Sequence, residues 1–95
     1  MSKRAWANKR DGNERLIVDG LRSLGYFVER VDGTDIPDLL VCKHGRTVLV
    51  EVKDPANYGK VLDGQQAWHD EYARYGGDVI VAETLEDVLK HYGDM

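Results

Sequence analysis

The sequence has a single cysteine, Cys42, among its 95 residues, so no disulfide can form within the chain. It also lacks any apolar run of the roughly 20 residues that a membrane-spanning helix needs, because charged residues interrupt every stretch. No basic segment followed by an apolar run of signal-peptide length is found at its beginning. We therefore expect a small cytoplasmic protein with a thin core, which dimerisation would help to stabilise.

The sequence has no overall excess of positive charge either. Its net charge is −4, whereas proteins that bind phosphate groups usually carry a basic surface. Residues 1–30 nevertheless hold seven Lys or Arg and four Asp or Glu, a balance of +3, which leaves −7 for the remainder. This distribution fits a protein that contacts a polyanion with one end and holds cations with the other. On charge alone, an ordinary solvated surface is the preferred explanation.

The order of helical and strand patterns predicts an α/β fold. The first half of the chain reads as a flexible basic tail over residues 1–10, a helix over 13–24 and strands over 26–31, 36–42 and 47–53. A loop over 55–64 follows, and then a second helix that ends at Gly76-Gly77. A strand over 79–82 and a last helix opened by Thr84 and Asp87 complete the order. The strand over 79–82 is wholly apolar, which predicts that both its faces are covered. The order αβββαβα predicts a mixed sheet with helices packed against it, in two or three layers.

The two central strands contain the most informative residues. If His44-Gly45 are the central residues of a tight turn, facing residues have numbers that sum to 89. Asp38 then lies opposite Glu51, with their Cβ atoms about 4.5 to 5.5 Å apart. Lys53 projects from the same face as Glu51, because side chains alternate along a strand.

Two facing carboxylates repel each other, and the repulsion grows as they are removed from water. A divalent cation such as Mg²⁺ compensates for it, because hard cations prefer oxygen ligands and are commonly held by one or two carboxylates plus phosphate oxygens. The Lys53 ammonium can orient a water molecule and offset charge that develops on a phosphate. An amphipathic hairpin with polar residues at solvent positions is the structural alternative.

Two further polar residues lie on faces that are otherwise apolar. Glu14 shares a helix face with Ile17 and Val18, and an acid rarely lies there without a partner. Gln65 opens the face of the second helix that carries Trp68 and His69. Both could reach a site at the edge of the sheet, and His69 could reach it as well. Favourable positions in the first turns of two helices would also explain Glu14 and Gln65.

These residues resemble a known family, the PD-(D/E)xK phosphodiesterase superfamily, and within it the stand-alone VRR-NUC nucleases of phages and bacteria. The resemblance covers nearly the whole chain as one domain, residues 1–95. It runs from Glu14 through Ile36-Pro37-Asp38 and Glu51-Val52-Lys53 to Gln65-Gln66-Ala67-Trp68. The last segment resembles the family's Gln-x-x-aromatic motif, with spacing to Trp68 favouring Gln65 over Gln66. The resemblance implies a restriction-endonuclease-like αβββαβ core and a protein of prokaryotic or phage origin.

The resemblance also implies an activity, namely Mg²⁺- or Mn²⁺-dependent hydrolysis of DNA that leaves 5′-phosphates. Asp38, Glu51 and the backbone carbonyl of Val52 would bind the metal, Lys53 would act at the attacking water, and Glu14 and Gln65 would support the site. Small members are similar to Holliday-junction resolvases and act as homodimers, which predicts branched DNA as substrate. Candidate phosphate contacts are Lys3, Arg4, Lys9, Arg10, Arg15, Arg46 and Lys60. Two alternatives stay open, a non-catalytic DNA- or protein-binding module on the same fold and a restriction-like nuclease that reads sequence.

Overall fold

The computed structural model describes residues 12–54 and 61–95. These residues form three helices and four strands: α1 (Asn13–Ser23), β1 (Phe27–Arg30), β2 (Leu39–Lys43), β3 (Arg46–Val52), α2 (Asp63–Arg74), β4 (Val79–Ala82) and α3 (Leu85–Tyr92). The predicted order is confirmed, and the boundaries agree to within about three residues. The predicted loop over 55–64 is wrong at its end, because Asp63 and Gly64 already belong to α2. No helix in the described ranges has the length and apolar content to span a membrane.

The sheet is mixed and has the strand order β1-β2-β3-β4. β1 pairs with β2 and β2 with β3 in antiparallel orientation, whereas β3 and β4 are parallel. A parallel neighbour requires a crossover connection, and the segment that contains α2 supplies it. The predicted α/β class, with a mixed sheet flanked by helices, is confirmed.

The β2–β3 hairpin turns where the sequence predicts. His44 and Gly45 have φ angles of 58° and 71°, as both central residues of a type I′ turn require. Lys43 pairs with Arg46 and Leu39 with Val50, so every facing pair sums to 89. The predicted register is therefore confirmed.

One face of the sheet forms the core. Val48 and Val50 of β3 are fully buried there, together with side chains from α1 and α3. Residues that alternate with them project from the opposite face, where α2 lies, because α2 side chains contact Glu51. The protein is thus three-layered, with α1 and α3 on one face of the sheet and α2 on the other.

The prediction that the last strand is covered on both faces is wrong. β4 is the edge strand of the described sheet, and its Val81 is 44% exposed. A wholly apolar sequence does not require burial on both faces here, because a four-residue edge strand needs only part of its surface covered. Ala82 is its only residue that is fully buried.

Candidate active site

Asp38 and Glu51 lie side by side because of the hairpin register. Asp38 directly precedes β2, so it faces Glu51 when the register is continued by one pair. The Val52 N–H donates a hydrogen bond to Asp38 Oδ2 at 2.9 Å, and the Val31 N–H donates to the Asp38 carbonyl at 2.8 Å. The side chain of Asp38 is therefore anchored to β3, and its backbone to the residue that follows β1.

The backbone carbonyl of Val52 has an unusual position in the same ladder. Continuing the register pairs Val52 with Pro37, and a proline has no N–H to donate. Successive residues of β3 direct their backbone N–H and C=O groups alternately towards β4 and β2. Those of Val52 point towards β2, as the hydrogen bond from its N–H to Asp38 indicates. The segment before β2 therefore gives the Val52 carbonyl no ladder hydrogen bond.

Glu51 is a carboxylate removed almost completely from solvent, with 2% of its surface exposed. Gln65 Nε2 donates a hydrogen bond to Glu51 Oε2 at 3.1 Å, and Lys53 Nζ lies 3.6 Å from the same oxygen. Burial and, after it, the neighbouring Asp38 raise the pKa of Glu51, Lys53 opposes both effects, and the net pKa is about 8. Without a further cation, these surroundings favour the protonated form of Glu51 more than water does.

Lys53 and Gln65 hold each other in place beside Glu51. Gln65 Oε1 accepts hydrogen bonds from Lys53 Nζ and from the Leu62 N–H, both at 3.0 Å. The second bond is the backward half of a capping box at the start of α2, so the helix terminus fixes the orientation of the amide. Gln66 instead projects to the surface and bonds to Asp70. Of the two glutamines, Gln65 is the one that the structure places at this cluster.

His69 also reaches the cluster, although sequence reasoning did not include it among the catalytic residues. It follows Gln65 by four residues on α2, and its Nε2 lies 3.5 Å from Glu51 Oε1. His69 is 6% exposed, and burial lowers its pKa. Neither Nε2 nor Glu51 Oε1 has a hydrogen-bond partner among the described residues. The spacing of four from Gln65 was the signal that could have identified it.

Comparison with known proteins was made by sequence and by structure. No family model matches the chain, and no curated protein matches it significantly. A solved structure titled "VRR_NUC domain" superposes with a TM-score of 0.69 and 26% sequence identity, over 84% of this chain and 89% of that one. The chain has the VRR-NUC fold. The resemblance inferred from the residues is thereby confirmed.

Within the VRR-NUC fold, the predicted supporting residue Glu14 has a partner that the sequence did not reveal. Glu14 is 4% exposed, and its Oε2 accepts a hydrogen bond from Arg30 Nε at 2.9 Å. Arg30 pairs with Leu39, which projects from the core face of the sheet, whereas Glu51 projects from the opposite face. The Glu14–Arg30 pair thus lies on the α1 side of the sheet, and a supporting role for Glu14 stays a prediction.

The structure does not gather the predicted phosphate contacts at this site. Arg46 begins β3, five residues and about 16 Å from Glu51, and it contacts Asp78 at 3.3 Å. Arg15 is exposed on α1, with its Nε 3.8 Å from Asp19. The predicted tail over residues 1–10 lies outside the described residues. So do the other candidate phosphate contacts, which are Lys3, Arg4, Lys9, Arg10 and Lys60.

The side chains around Glu51 supply few metal ligands by themselves. In the parts of the chain that the structure describes, no group of three or more His, Cys, Asp or Glu residues is arranged to enclose a metal ion. Asp38 and Glu51 nevertheless face each other, and one buried oxygen of Glu51 lacks a hydrogen bond. This donor set fits a cation that completes its coordination with water and phosphate oxygens, as Mg²⁺ commonly does.

Proposed function

We propose that the protein is a metal-dependent DNA endonuclease that cuts branched DNA, with four-way junctions as its substrate class. The observation that carries the proposal is the cluster of Asp38, Glu51, Lys53 and Gln65 on one face of the sheet. A protein with no chemistry to perform gains little from burying the Glu51 carboxylate opposite a second carboxylate, because its desolvation costs free energy. The likeness to a structure titled "VRR_NUC domain" supports a nuclease.

Asp38, Glu51 and the Val52 carbonyl are the groups that would hold the metal. The unbonded Oε1 of Glu51 and the missing ladder donor at Pro37 support this assignment. When bound, a divalent cation neutralises phosphate charge and makes a bound water more acidic. Gln65 would keep Oε2 of Glu51 in place through its amide N–H.

Lys53 is the residue that we assign to the attacking water. Its Nζ is held by Gln65 and is only partly exposed, so the ammonium is oriented before substrate arrives. In the reaction, the water oxygen forms a bond to phosphorus and the bond from phosphorus to the 3′-oxygen breaks. The water loses a proton to solvent, and the departing 3′-oxygen gains one. The products are a 5′-phosphate and a 3′-hydroxyl, and Lys53 offsets the charge that develops on the phosphate.

Cleavage assays with isosteric variants test this proposal. Asp38→Asn and Lys53→Met should each reduce the cleavage rate by about 100-fold or more, a loss typical for removal of one electrostatic group from an active site. Asp70→Asn and Lys90→Met are matched controls, because both residues are exposed and lie outside the cluster. Wild type and controls should cut in Mg²⁺ or Mn²⁺ and not in EDTA. Equal cleavage by all variants, or none by wild type, would contradict the proposal.

The substrate class is tested by mapping the cuts. Wild-type protein is incubated with a four-way junction of fixed branch point, a flap and a linear duplex of the same sequence. Paired nicks placed symmetrically about the branch point would support junction cleavage by a homodimer. Equal cutting of the linear duplex at a fixed sequence would instead favour a restriction-like enzyme.

The acidity of the chain favours a second candidate, a binding module without catalysis. A net charge of −4 is unusual for a protein whose substrate is a polyanion. Calorimetric titration with Mg²⁺ separates the two functions. A nuclease should bind Mg²⁺ and lose binding with Glu51→Ala, whereas a binding module needs no such site.

A further inference from the structure

The two carboxylate oxygens of Glu51 have different surroundings. Oε2 accepts the hydrogen bond from Gln65 and lies near the Lys53 ammonium. Oε1 is buried and has no hydrogen-bond partner within residues 12–54 and 61–95. A buried acceptor without a partner is unfavourable, because it has lost its hydrogen bonds to water and gained none in return. The protein's own groups thus orient Oε2, whereas Oε1 is available to a ligand that the described residues do not supply.

The imidazole of His69 is the group nearest to that free oxygen. Its Nε2 lies 3.5 Å from Oε1 and has no hydrogen-bond partner among the described residues. The same α2 turn that brings Gln65 to Oε2 brings His69 to Oε1, because residues four apart share a helix face. Two buried polar atoms therefore face each other without forming a hydrogen bond.

We propose that His69 Nε2 and Glu51 Oε1 bind the same divalent cation, so that His69 is a nitrogen ligand of the active-site metal. This inference rests on the proposed nuclease function. Two donors that each lie about 2.0 to 2.2 Å from one ion, at angles between 90° and 110°, are about 2.8 to 3.6 Å apart. The observed separation of 3.5 Å falls at the upper end of that range.

A nitrogen ligand changes which metal the site prefers. Mg²⁺ is a hard cation that takes oxygen ligands and retains several of its waters. Imidazole contributes more to the binding of first-row transition ions, so His69 would shift the site from Mg²⁺ towards ions such as Mn²⁺. A site formed by Asp38, Glu51 and the Val52 carbonyl alone would have only oxygen donors.

The most direct test observes the metal on the wild-type protein. The paramagnetic resonance of Mn²⁺ is modulated by a directly bound nitrogen, and labelling histidine with ¹⁵N changes that modulation. We expect a histidine nitrogen signal from Mn²⁺ bound at one equivalent. Mn²⁺ bound with no such signal would overturn the role of His69 and leave the proposed nuclease function standing.

Calorimetric titration with MnCl₂ and with MgCl₂ provides the second test. His69→Gln should weaken Mn²⁺ binding by about tenfold or more, as the loss of a group that supports a metal site commonly does, and should change Mg²⁺ binding much less. His44→Asn is the matched control, because His44 is exposed in the hairpin turn and asparagine tolerates its positive φ. Circular dichroism checks that each variant folds.

Glu51→Gln separates failure of this inference from failure of the proposed function. If it abolishes binding of both ions while His69→Gln leaves the Mn²⁺-to-Mg²⁺ affinity ratio unchanged, His69 is not a ligand and the metal site survives. If Glu51→Gln binds both ions as the wild type does, the metal site and the proposed function are both wrong.

Discussion

At the scale of single residues, Glu51 concentrates the unusual chemistry of this protein. It is buried beside Asp38, on the face of β3 opposite the core valines. It is contacted by Gln65 and His69 from α2, and by Lys53, which directly follows β3. The sequence spacing accounts for two of these relations: Lys53 follows Glu51 by two residues, and His69 follows Gln65 by four on one helix face. Burial and the charge of Asp38 raise its pKa to about 8.

This raised pKa predicts a specific dependence of stability on pH in metal-free protein. Between the unfolded pKa of 4.5 and the folded value of about 8, the folded state binds more protons than the unfolded state. The stabilising contribution of protonated Glu51 is therefore complete below pH 4.5 and is lost as pH rises through 8. The free energy of unfolding should fall by at most about 1.4 kcal/mol per pH unit from this group.

Urea unfolding in EDTA at pH 5.5, 7 and 8.5 measures this dependence, and Glu51→Gln is the control because its amide does not titrate. The stability advantage of the wild type over the variant should shrink as pH rises. An advantage that stays constant from pH 5.5 to 8.5 would contradict the prediction, because it would show that Glu51 is already ionised at pH 5.5 in the folded protein.

At the scale of secondary-structure elements, the β2–β3 hairpin determines which residues meet. Its turn, with φ angles of 58° at His44 and 71° at Gly45, sets the register that brings Asp38 opposite Glu51. A slip by one residue would move every side chain of a strand to the other face of the sheet. The hairpin is short-range in sequence, and this is why its register was predictable from the sequence. The position of α2 depends on contacts made across the sheet.

Replacing Gly45 tests how far the hairpin depends on its turn. Gly45→Val should lower the free energy of unfolding by about 1 to 2 kcal/mol, because a side chain at positive φ is strained, most of all a β-branched one. Thr47→Val at the first strand position after Arg46 is the comparison, since an extended strand accommodates valine readily. Chemical denaturation of both variants measures the difference. Equal stabilities would show that another turn replaces this one without cost.

At the scale of the whole molecule, the sheet has a buried face and a functional face. α1 and α3 cover the core valines, while the face with Glu51 is contacted by α2. Several large apolar side chains of the described residues remain exposed, including Leu16, Phe27 and Tyr75. Phe27 lies on β1, an edge strand of the described sheet.

Exposed apolar side chains and a thin core together predict a homodimer. Burying such side chains between two copies gains roughly 25 cal/mol for each Å² of apolar surface removed from water. Light scattering after size exclusion should give about twice the chain mass of 10.7 kDa. Phe27→Lys should shift the mass to that of a monomer if β1 lies in the interface, and Val81→Lys on the opposite edge strand is its control. A monomeric wild type at all concentrations would contradict the prediction.

The sequence by itself determined the order of elements and the hairpin register, and it placed Asp38, Glu51 and Lys53 on one face of the sheet, because these features follow from local periodicity and turn chemistry. Only the tertiary structure decided that Gln65 rather than Gln66 reaches the cluster, that Glu14 pairs with Arg30, and that β4 is an exposed edge. It also brought His69 to the free oxygen of Glu51. These contacts join distant segments, and their geometry depends on how helices pack across the sheet, which no local pattern encodes.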